Sequence, residues 1–238
     1  LATIRIRNKK NRSSYGIMVT LIVILVLVVG AAYFYFKITA IRNSEVFLAK
    51  KIDYLIYVND DNPFYVLVRN KKDNGTVVLE LPEYLVLEPL EKSLTGDSLN
   101  ETKKMIDSWL GISSDEYYYW ETDQDALKEL ASEFGLSANN YQELLDGLSR
   151  RGLTFFDYWK LGNYINAIRK HDSNSNLSKA GLAAMLERLS QGSLKFVKVS
   201  TITRYPIEVR TSLSTSPVKK LYVEEESLEN LMSLFVEW

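Results

Sequence analysis

Few residues in this chain have the chemistry for catalysis, and their spacing narrows the options further. The 238 residues include no Cys and one His, which excludes Cys/His zinc sites and Cys nucleophiles. A Ser-His-Asp triad would depend wholly on His171. That histidine follows Arg169 and Lys170 at a helix end, where a cation meets the negative end of the helix dipole, so a structural role is expected. Asp60 and Asp61 precede Asn62-Pro63. Their oxygens suit Mg²⁺ at a strand end, although the same four residues form a turn signal, and the turn is the better reading. Glu224-Glu225-Glu226 resembles a metal site, but consecutive side chains diverge, which favours a solvated loop leading into a helix. Neither a GxGxxG fingerprint nor a P-loop occurs. Two aromatic runs, residues 117–120 and 155–159, have the character of sugar-stacking or lipid-lining groups. Alternate members of the first point to opposite sheet faces. In the second, Phe155, Phe156 and Trp159 share one helical face. Packing in the core is expected for both.

The charge distribution shows what must position these groups. Residues 1–15 carry Arg5, Arg7, Lys9, Lys10 and Arg12 and no acid, leaving 24 basic against 30 acidic side chains in the rest. The net charge of −1 gives no reason to expect a nucleic-acid partner. Residues 15–36 are uncharged and, at about 1.5 Å per residue, long enough for a hydrocarbon core of roughly 30 Å. Small residues at Gly30-Ala31-Ala32 offer a signal-peptide cleavage site, but the apolar run continues into YFYF. A single uncleaved anchor is the reading. The basic flank places the N-terminus in the cytoplasm and the remainder outside. The expected organisation is a basic cytoplasmic tail (1–14), a transmembrane helix (15–36), a juxtamembrane linker (37–50) and an extracytoplasmic α/β domain (51–238).

Within that domain, β-branched and aromatic runs predict strands over 52–58, 63–69, 76–81, 84–87, 116–121, 194–203, 207–211 and 219–223. Asn74-Gly75 marks a hairpin between the second and third. A capping box at Ser98 and Glu101 opens a helix that Gly111 closes. Thr122 with Asp125 caps the next, which Gly135 ends. Further helices are predicted over 141–150, 155–170, 179–190 and, behind Ser227, 228–236. Strands mixed with three-turn helices imply a three-layer α/β/α domain with a mixed central sheet.

Several stretches resemble the LytR–CpsA–Psr (LCP) family of bacterial envelope proteins, over most of residues 52–236. DYLIYVND is similar to the family's first strand, which ends in an acidic residue. PFYVLVRNKKDNGTVVLELPEYLVL resembles its hairpin, with a Lys-rich turn and a Pro-Arg-Asp motif at the end. SLNETKKMIDSWLGISSDEYYYWETDQDALKELASEFG resembles the following helix–strand–helix. LLDGLSRRG is similar to a Leu-Asp-Gly stretch, and NYINAIRKHDSNSNLSKAGLAAMLERL to an Arg-rich loop and the helix after it.

The resemblance implies transfer of an anionic glycopolymer from a polyprenyl-diphosphate carrier to peptidoglycan, with Mg²⁺ held by Asp residues and the diphosphate clamped by Arg. This chain departs where that chemistry resides. Pro-Arg-Asp is replaced by Pro82-Glu83-Tyr84, the Arg-Ser-Asp run by Asp60-Asp61-Asn62, the Arg-x-Arg spacing by Asn166-Ala167-Ile168-Arg169, and Arg-Gln-Gln by Ser178-Lys179-Ala180. Glu83 reverses the charge facing a diphosphate, a repulsion of several kcal/mol at ~4 Å in a partly buried site. The resemblance therefore implies a domain without transferase chemistry or a cofactor, with a binding or scaffold role in cell-wall and glycopolymer assembly. Its partners would be the bacterial membrane and a polyprenyl-linked glycopolymer, peptidoglycan or another envelope protein. The alternative is a divergent Mg²⁺-dependent phosphotransferase, in which Arg69, Arg150, Arg151, Arg169 and Lys170 bind phosphate while Asp60 and Asp61 hold the metal. Those cations would then have to converge on one groove, and a lipid-width apolar tunnel would run between the sheet and the helix over 155–170. A third reading is a tethered interaction domain unrelated to the family.

Overall fold

In a computed structural model the described residues are 12–72, 74–88, 90–96, 98–210, 217–236 and 238. The chain divides into a unit ending at Arg42 and a second, Asn43–Trp238. The first is one helix, α1 (Arg12–Arg42). Its segment Tyr15–Arg42 is apolar and long enough to cross a membrane. Side chains such as Leu21, Leu25 and Val28 are exposed all round it, and the hydroxyl of Thr20 donates to the Gly16 carbonyl at 2.9 Å, the local satisfaction a polar group needs in hydrocarbon. The helix runs six residues beyond the expected boundary at Phe36, so Lys37 lies within it. Residues 1–11 of the basic tail lie outside the described residues.

The second unit begins with a short helix, α2 (Glu45–Leu48), and a hairpin meander, β1 (Lys51–Val58), β2 (Phe64–Lys71) and β3 (Gly75–Pro82). A small ribbon, β4 (Val86–Leu87) with β5 (Lys92–Ser93), leads to α3 (Leu99–Leu110), β6 (Glu116–Thr122) and α4 (Gln124–Glu133). Three helices follow: α5 (Tyr141–Arg151), α6 (Asp157–His171) and α7 (Lys179–Ser190). The chain ends with β7 (Leu194–Lys198), the ribbon β8 (Ile207–Val209) and β9 (Val218–Lys220), and α8 (Glu225–Val236). The central sheet has the order β6-β1-β2-β3-β7, with β6 parallel to β1, β7 parallel to β3 and β2 antiparallel to both of its neighbours. This is the expected mixed sheet.

Both sheet faces are covered, which is why β1 to β3 read as nearly continuous apolar runs. Leu55, Tyr57, Leu67, Leu79 and Leu81 face one side, packing with Ile106 and Trp109 of α3 and Leu231 and Phe235 of α8. Tyr54, Ile56 and Trp120 face the other, under α4 to α7: the Tyr54 hydroxyl donates to the Gly181 carbonyl at 2.8 Å. A Cβ on Gly181 would meet the Tyr118 ring at 2.6 Å, so glycine is required there for α7 to approach the sheet. The Ser98 cap and the Gly111 stop form as predicted, and so does the hairpin, although Gly75 opens β3 opposite Lys71 and is not part of the turn.

Four strands, β1, β3, β6 and β7, run the same way, so the sheet has two distinct ends. The entry edge holds their starts (Lys51, Gly75, Glu116, Leu194) and the exit edge their ends (Val58, Pro82, Thr122, Lys198). Helix α5 starts near the exit edge, where the Tyr141 hydroxyl donates to Glu80. It descends until Gly152 meets Ser190 at the end of α7. Helix α6 then climbs back to Asp172, whose carboxylate accepts from Glu121 N–H at 2.8 Å.

Three expectations fail at this level. Asp123, not Thr122, caps α4, accepting from Ala126 N–H at 2.7 Å, because Thr122 still belongs to β6. Helix α8 starts at Glu225, and Ser227 accepts from Ser200 N–H at 3.0 Å instead of acting as its cap. Phe155, Phe156 and Trp159 are not core: they are 60, 75 and 70% exposed. Helix α6 begins only at Asp157, and its buried stripe is Tyr158, Leu161, Tyr164, Ile165 and Ile168.

Candidate functional site at the exit edge

In open α/β sheets the strand ends that point the same way form the natural binding crevice. Here β1 leads into Asn59 and Asp60, β3 into Glu83 and Tyr84, and β6 into Asp123, the cap of α4. Two clefts meet around Asp60 and Asp61. One, of about 390 Å³, is walled by Asp60, Asp61, Asn62, Pro63, Pro82, Glu83, Tyr84, Arg204, Tyr205, Pro206, Lys219 and Leu221. The other, wider at about 770 Å³, is lined by Asn59, Asp60, Asp61, Asn62, Phe64, Asp123, Gln124 and Asp125.

The floor of the first cleft is held firmly. Glu83 is buried and accepts from the Tyr57 hydroxyl at 3.0 Å. Burial first, and the bond to Glu83 second, raise the Tyr57 hydroxyl far above its ordinary value, so it stays a donor. The bond to Glu83, and then burial, raise Tyr84 as well. Tyr84 has φ +64°, a left-handed conformation that strains a non-glycine residue. Hydrogen bonds fix it there: its N–H donates to Leu94 O at 2.9 Å and its carbonyl accepts from Leu221 N–H at 2.8 Å. Lys219 lies 5.4 Å from the Tyr84 ring centre, and Arg204 5.5 Å from that of Tyr205, both within cation–π range.

The five cations expected to bind phosphate do not share this site. Arg69 is the clearest correction: it is fully buried, its Nη1 sits 2.8 Å from Asp53 Oδ2, and its Nη2 donates to Ser113 O at 2.8 Å. The pair lies near the entry edge, about 23 Å along the strand from Asp60 by strand rise. Lys103 completes the buried cluster 3.0 Å from Asp53 Oδ2. Arg150 is exposed and pairs with Asp146 at 2.7 Å. Arg151 holds Asp157, which also accepts from Thr154 and from Tyr164. Burial pushes the Asp157 carboxyl up, but the bonds from Arg151 and Thr154 outweigh it and hold the group below its usual range. Tyr164, buried against that carboxylate, is pushed up to about 12. Arg169 donates to Leu177 O at 3.4 Å, and Lys170 and His171 both meet Glu129. His171 is the last residue of α6, and its contact is this carboxylate. None of the five lines either cleft.

The residues present do not fit a resident metal. Asp60 accepts from Gln124 N–H at 3.3 Å, Asp123 is used as a helix cap, and among the described residues no three His, Cys, Asp or Glu side chains are grouped to hold an ion. Between the sheet and α4 to α7, the apolar space among Ile56, Trp120, Phe134, Leu148, Ile168 and Met185 amounts to about 20 Å³. That is room for about one water and not for a lipid chain. Side chains fill the place where the divergent-transferase alternative requires a lipid-width tunnel.

Sequence reasoning missed Arg204, Tyr205 and Lys219. They reach the cleft because the β8–β9 ribbon folds over and Leu221 bridges in parallel to Leu85. Tyr205-Pro206 precedes that ribbon and Lys219-Lys220 lies in its second strand, and neither pair says which strand end the ribbon covers.

No protein-family model matches the chain, and neither does any curated protein. Solved structures do. Lmo1026 of Listeria monocytogenes is similar with a TM-score of 0.51 and 10% identity, over 82% of this chain and 97% of that one. Lin1025 of Listeria innocua follows with a TM-score of 0.49 and 13% identity, over 79% and 97%. The LytR-CPS2A-Psr family protein YwtF (TagT), solved with bound octaprenyl pyrophosphate lipid, gives a TM-score of 0.43 and 14% identity, over 79% and 89%. At such identities the likeness is one of fold: the second unit of this chain, a five-stranded mixed sheet between two helical layers, shares the fold of Lmo1026.

Proposed function

We propose that this chain is a membrane-anchored protein of the bacterial cell envelope whose LCP-like domain binds or scaffolds without transferring glycopolymer. One observation carries the reading: at the position of the Pro-Arg-Asp motif, Glu83 is buried and bonded to Tyr57, in a cleft that also contains Asp60 and Asp61. A diphosphate there meets carboxylates, and the repulsion costs several kcal/mol at ~4 Å. Even a few kcal/mol removes several orders of magnitude in rate. The uncharged stretch 15–36 within α1 and its basic flank support a single-pass anchor with the N-terminus in the cytoplasm and the domain outside. Possible envelope partners are a polyprenyl-linked glycopolymer, peptidoglycan and a second envelope protein.

The test uses the full chain in detergent micelles, with a polyprenyl-diphosphate-linked substrate and Mg²⁺. No pyrophosphatase or transferase turnover is expected, and appreciable turnover refutes the reading. The second reading, a divergent transferase, is favoured only by the meeting of Arg204 and Lys219 with Asp60 and Asp61 in one cleft. If it holds, Arg204→Gln abolishes that turnover.

A further inference from the structure

The entry edge is the opposite of the site just described. Two segments flank the last turn of α7 there. On one side, Arg188 donates to the carbonyls of Phe47 and Ala49, which fixes α2. On the other, Gly152 lies against Ser190, which fixes the turn between α5 and α6. Each segment presents apolar side chains to solvent: Leu48 at 62% exposure, and Phe155, Phe156 and Trp159 at 60 to 75%. The Phe155 and Phe156 rings meet edge to face at 5.8 Å, so the tip is a formed cluster.

The surrounding charge is mainly basic. Lys50 and Lys51 start β1, and Lys72, whose N–H donates to Lys50 O, turns the neighbouring hairpin. Lys195 stands at the start of β7, and Lys160 lies beside Trp159. The acids on this edge are Glu45, Asp115, Glu116, Asp107, which is paired with Lys103, and Glu187, which accepts from Gln191 Nε2 at 3.0 Å. Asp115 is already occupied by the N–H groups of Lys50 and Lys51 at 2.7 and 2.9 Å. Asp73, in the same hairpin turn, lies outside the described residues. From Gly147 to His171 the single acid is Asp157, buried and paired with Arg151.

Exposed Trp and Phe interleaved with Lys is the pattern of a lipid–water boundary: rings enter the headgroup layer while ammonium groups meet anionic phosphates. Asn43, the first residue of this unit, follows Arg42 covalently, and Arg42 ends the candidate membrane span. We infer that the entry edge docks on an anionic phospholipid surface through Phe155, Phe156, Trp159 and Leu48, with Lys50, Lys72 and Lys160 on the headgroups. This rests on reading α1 as a membrane span. It goes further in assigning the domain a second, peripheral lipid contact and in directing the acidic exit clefts away from the bilayer.

The absence of native Cys makes a clean test possible. The full chain carrying Phe156→Cys, or Asp61→Cys as the opposite-edge control, is nitroxide-labelled and reconstituted in nanodiscs of phosphatidylcholine with or without phosphatidylglycerol. In anionic discs, the label at 156 is expected to show a severalfold loss of collisions with an aqueous nickel chelate and a gain with oxygen, relative to the label at 61. The contrast should shrink in neutral discs and in about 1 M salt, where screening acts within ~3 Å. Trp159→Cys repeats the measurement at a second exposed site and guards against a local fault at 156. Equal nickel access at both edges in anionic discs overturns the inference, and so does protection that rises with the number of chains per disc, which would assign the tip to a second copy. Alkaline extraction separates the two readings. A chain retained in membranes leaves the span intact, so equal access sinks the docking alone, whereas a chain released to the supernatant sinks both.

Discussion

The two ends of the central sheet lie about 25 Å apart by strand rise and are built from the same strands, yet they have opposite chemistry. At the exit edge, Asp60, Asp61, Glu83, Asp123 and Asp125 surround open clefts, with Arg204 and Lys219 drawn against tyrosine rings. At the entry edge, lysines surround exposed Phe and Trp, while the one dense charge cluster, Asp53–Arg69–Lys103, is sealed inside. The contrast teaches that charge here is sorted by whether it must be satisfied internally. The buried ions Asp53, Arg69 and Lys103 near the entry edge are bonded to one another, which makes them structural. At the exit edge Asp60, Asp61 and Asp125 line open clefts, available for recognition but unfavourable for phosphate, while Glu83 is buried against Tyr57 and Asp123 caps α4.

That comparison can be broken at several points. The largest effect is expected from Arg69→Met, which leaves Asp53 facing only Lys103 in a sealed core. It should destabilise the domain by about 3–5 kcal/mol, read from denaturant unfolding of the full chain in micelles. A loss below 1 kcal/mol would mean that this pair is not buried as described.

Asp157→Asn comes next, at about 2 kcal/mol at neutral pH, because bonds to a charged acceptor from Arg151 and Thr154 are weakened. Its folded carboxyl titrates below the ordinary 3.8. The wild-type chain therefore has this contribution in full above that value and loses it as pH falls through the folded one. The variant should show a flatter acid limb below pH ~3.8. An unchanged limb would assign acid unfolding to other carboxylates.

Glu83→Gln keeps the shape and the acceptor for Tyr57 but removes the charge. Stability should change by about 1 kcal/mol. Binding of a soluble diphosphate probe, measured by calorimetry, should strengthen about tenfold, equivalent to about 1.4 kcal/mol. If binding does not change, Glu83 is not what repels phosphate from the cleft. The smallest effect belongs to the entry edge: Lys72→Gln should weaken adsorption to anionic lipid about fivefold, seen as a proportionate return of nickel access at position 156.

Much of the fold was legible because its signals are local. Alternation and β-branching mark β1 to β3, the Ser98 and Gly111 caps bound α3, and Asn74-Gly75 closes the hairpin. Asp60 and Glu83 could be placed at strand ends from the sequence, since each follows a strongly apolar run. The failures share one cause: the residue's partner is distant in sequence. Arg69 reads as an available cation until Asp53, 16 positions earlier, is brought beside it by β-pairing. Phe155, Phe156 and Trp159 read as a core stripe. The helix phase is set instead by Tyr164 and Asp157, which bury the other face. Arg204 and Lys219 gave no local sign of reaching the cleft, because a ribbon contacting Leu85 carries them there.

The sequence by itself determined the apolar span, the mixed α/β class and the acidic residue Glu83 behind Pro82, because composition, periodicity and residue identity do not depend on which segments meet. Only the tertiary structure decided which charges are neutralised and which aromatics remain in water. Burial and pairing are properties of segments brought together across the sheet, and a side chain's chemistry follows the dielectric and the partners it finds there.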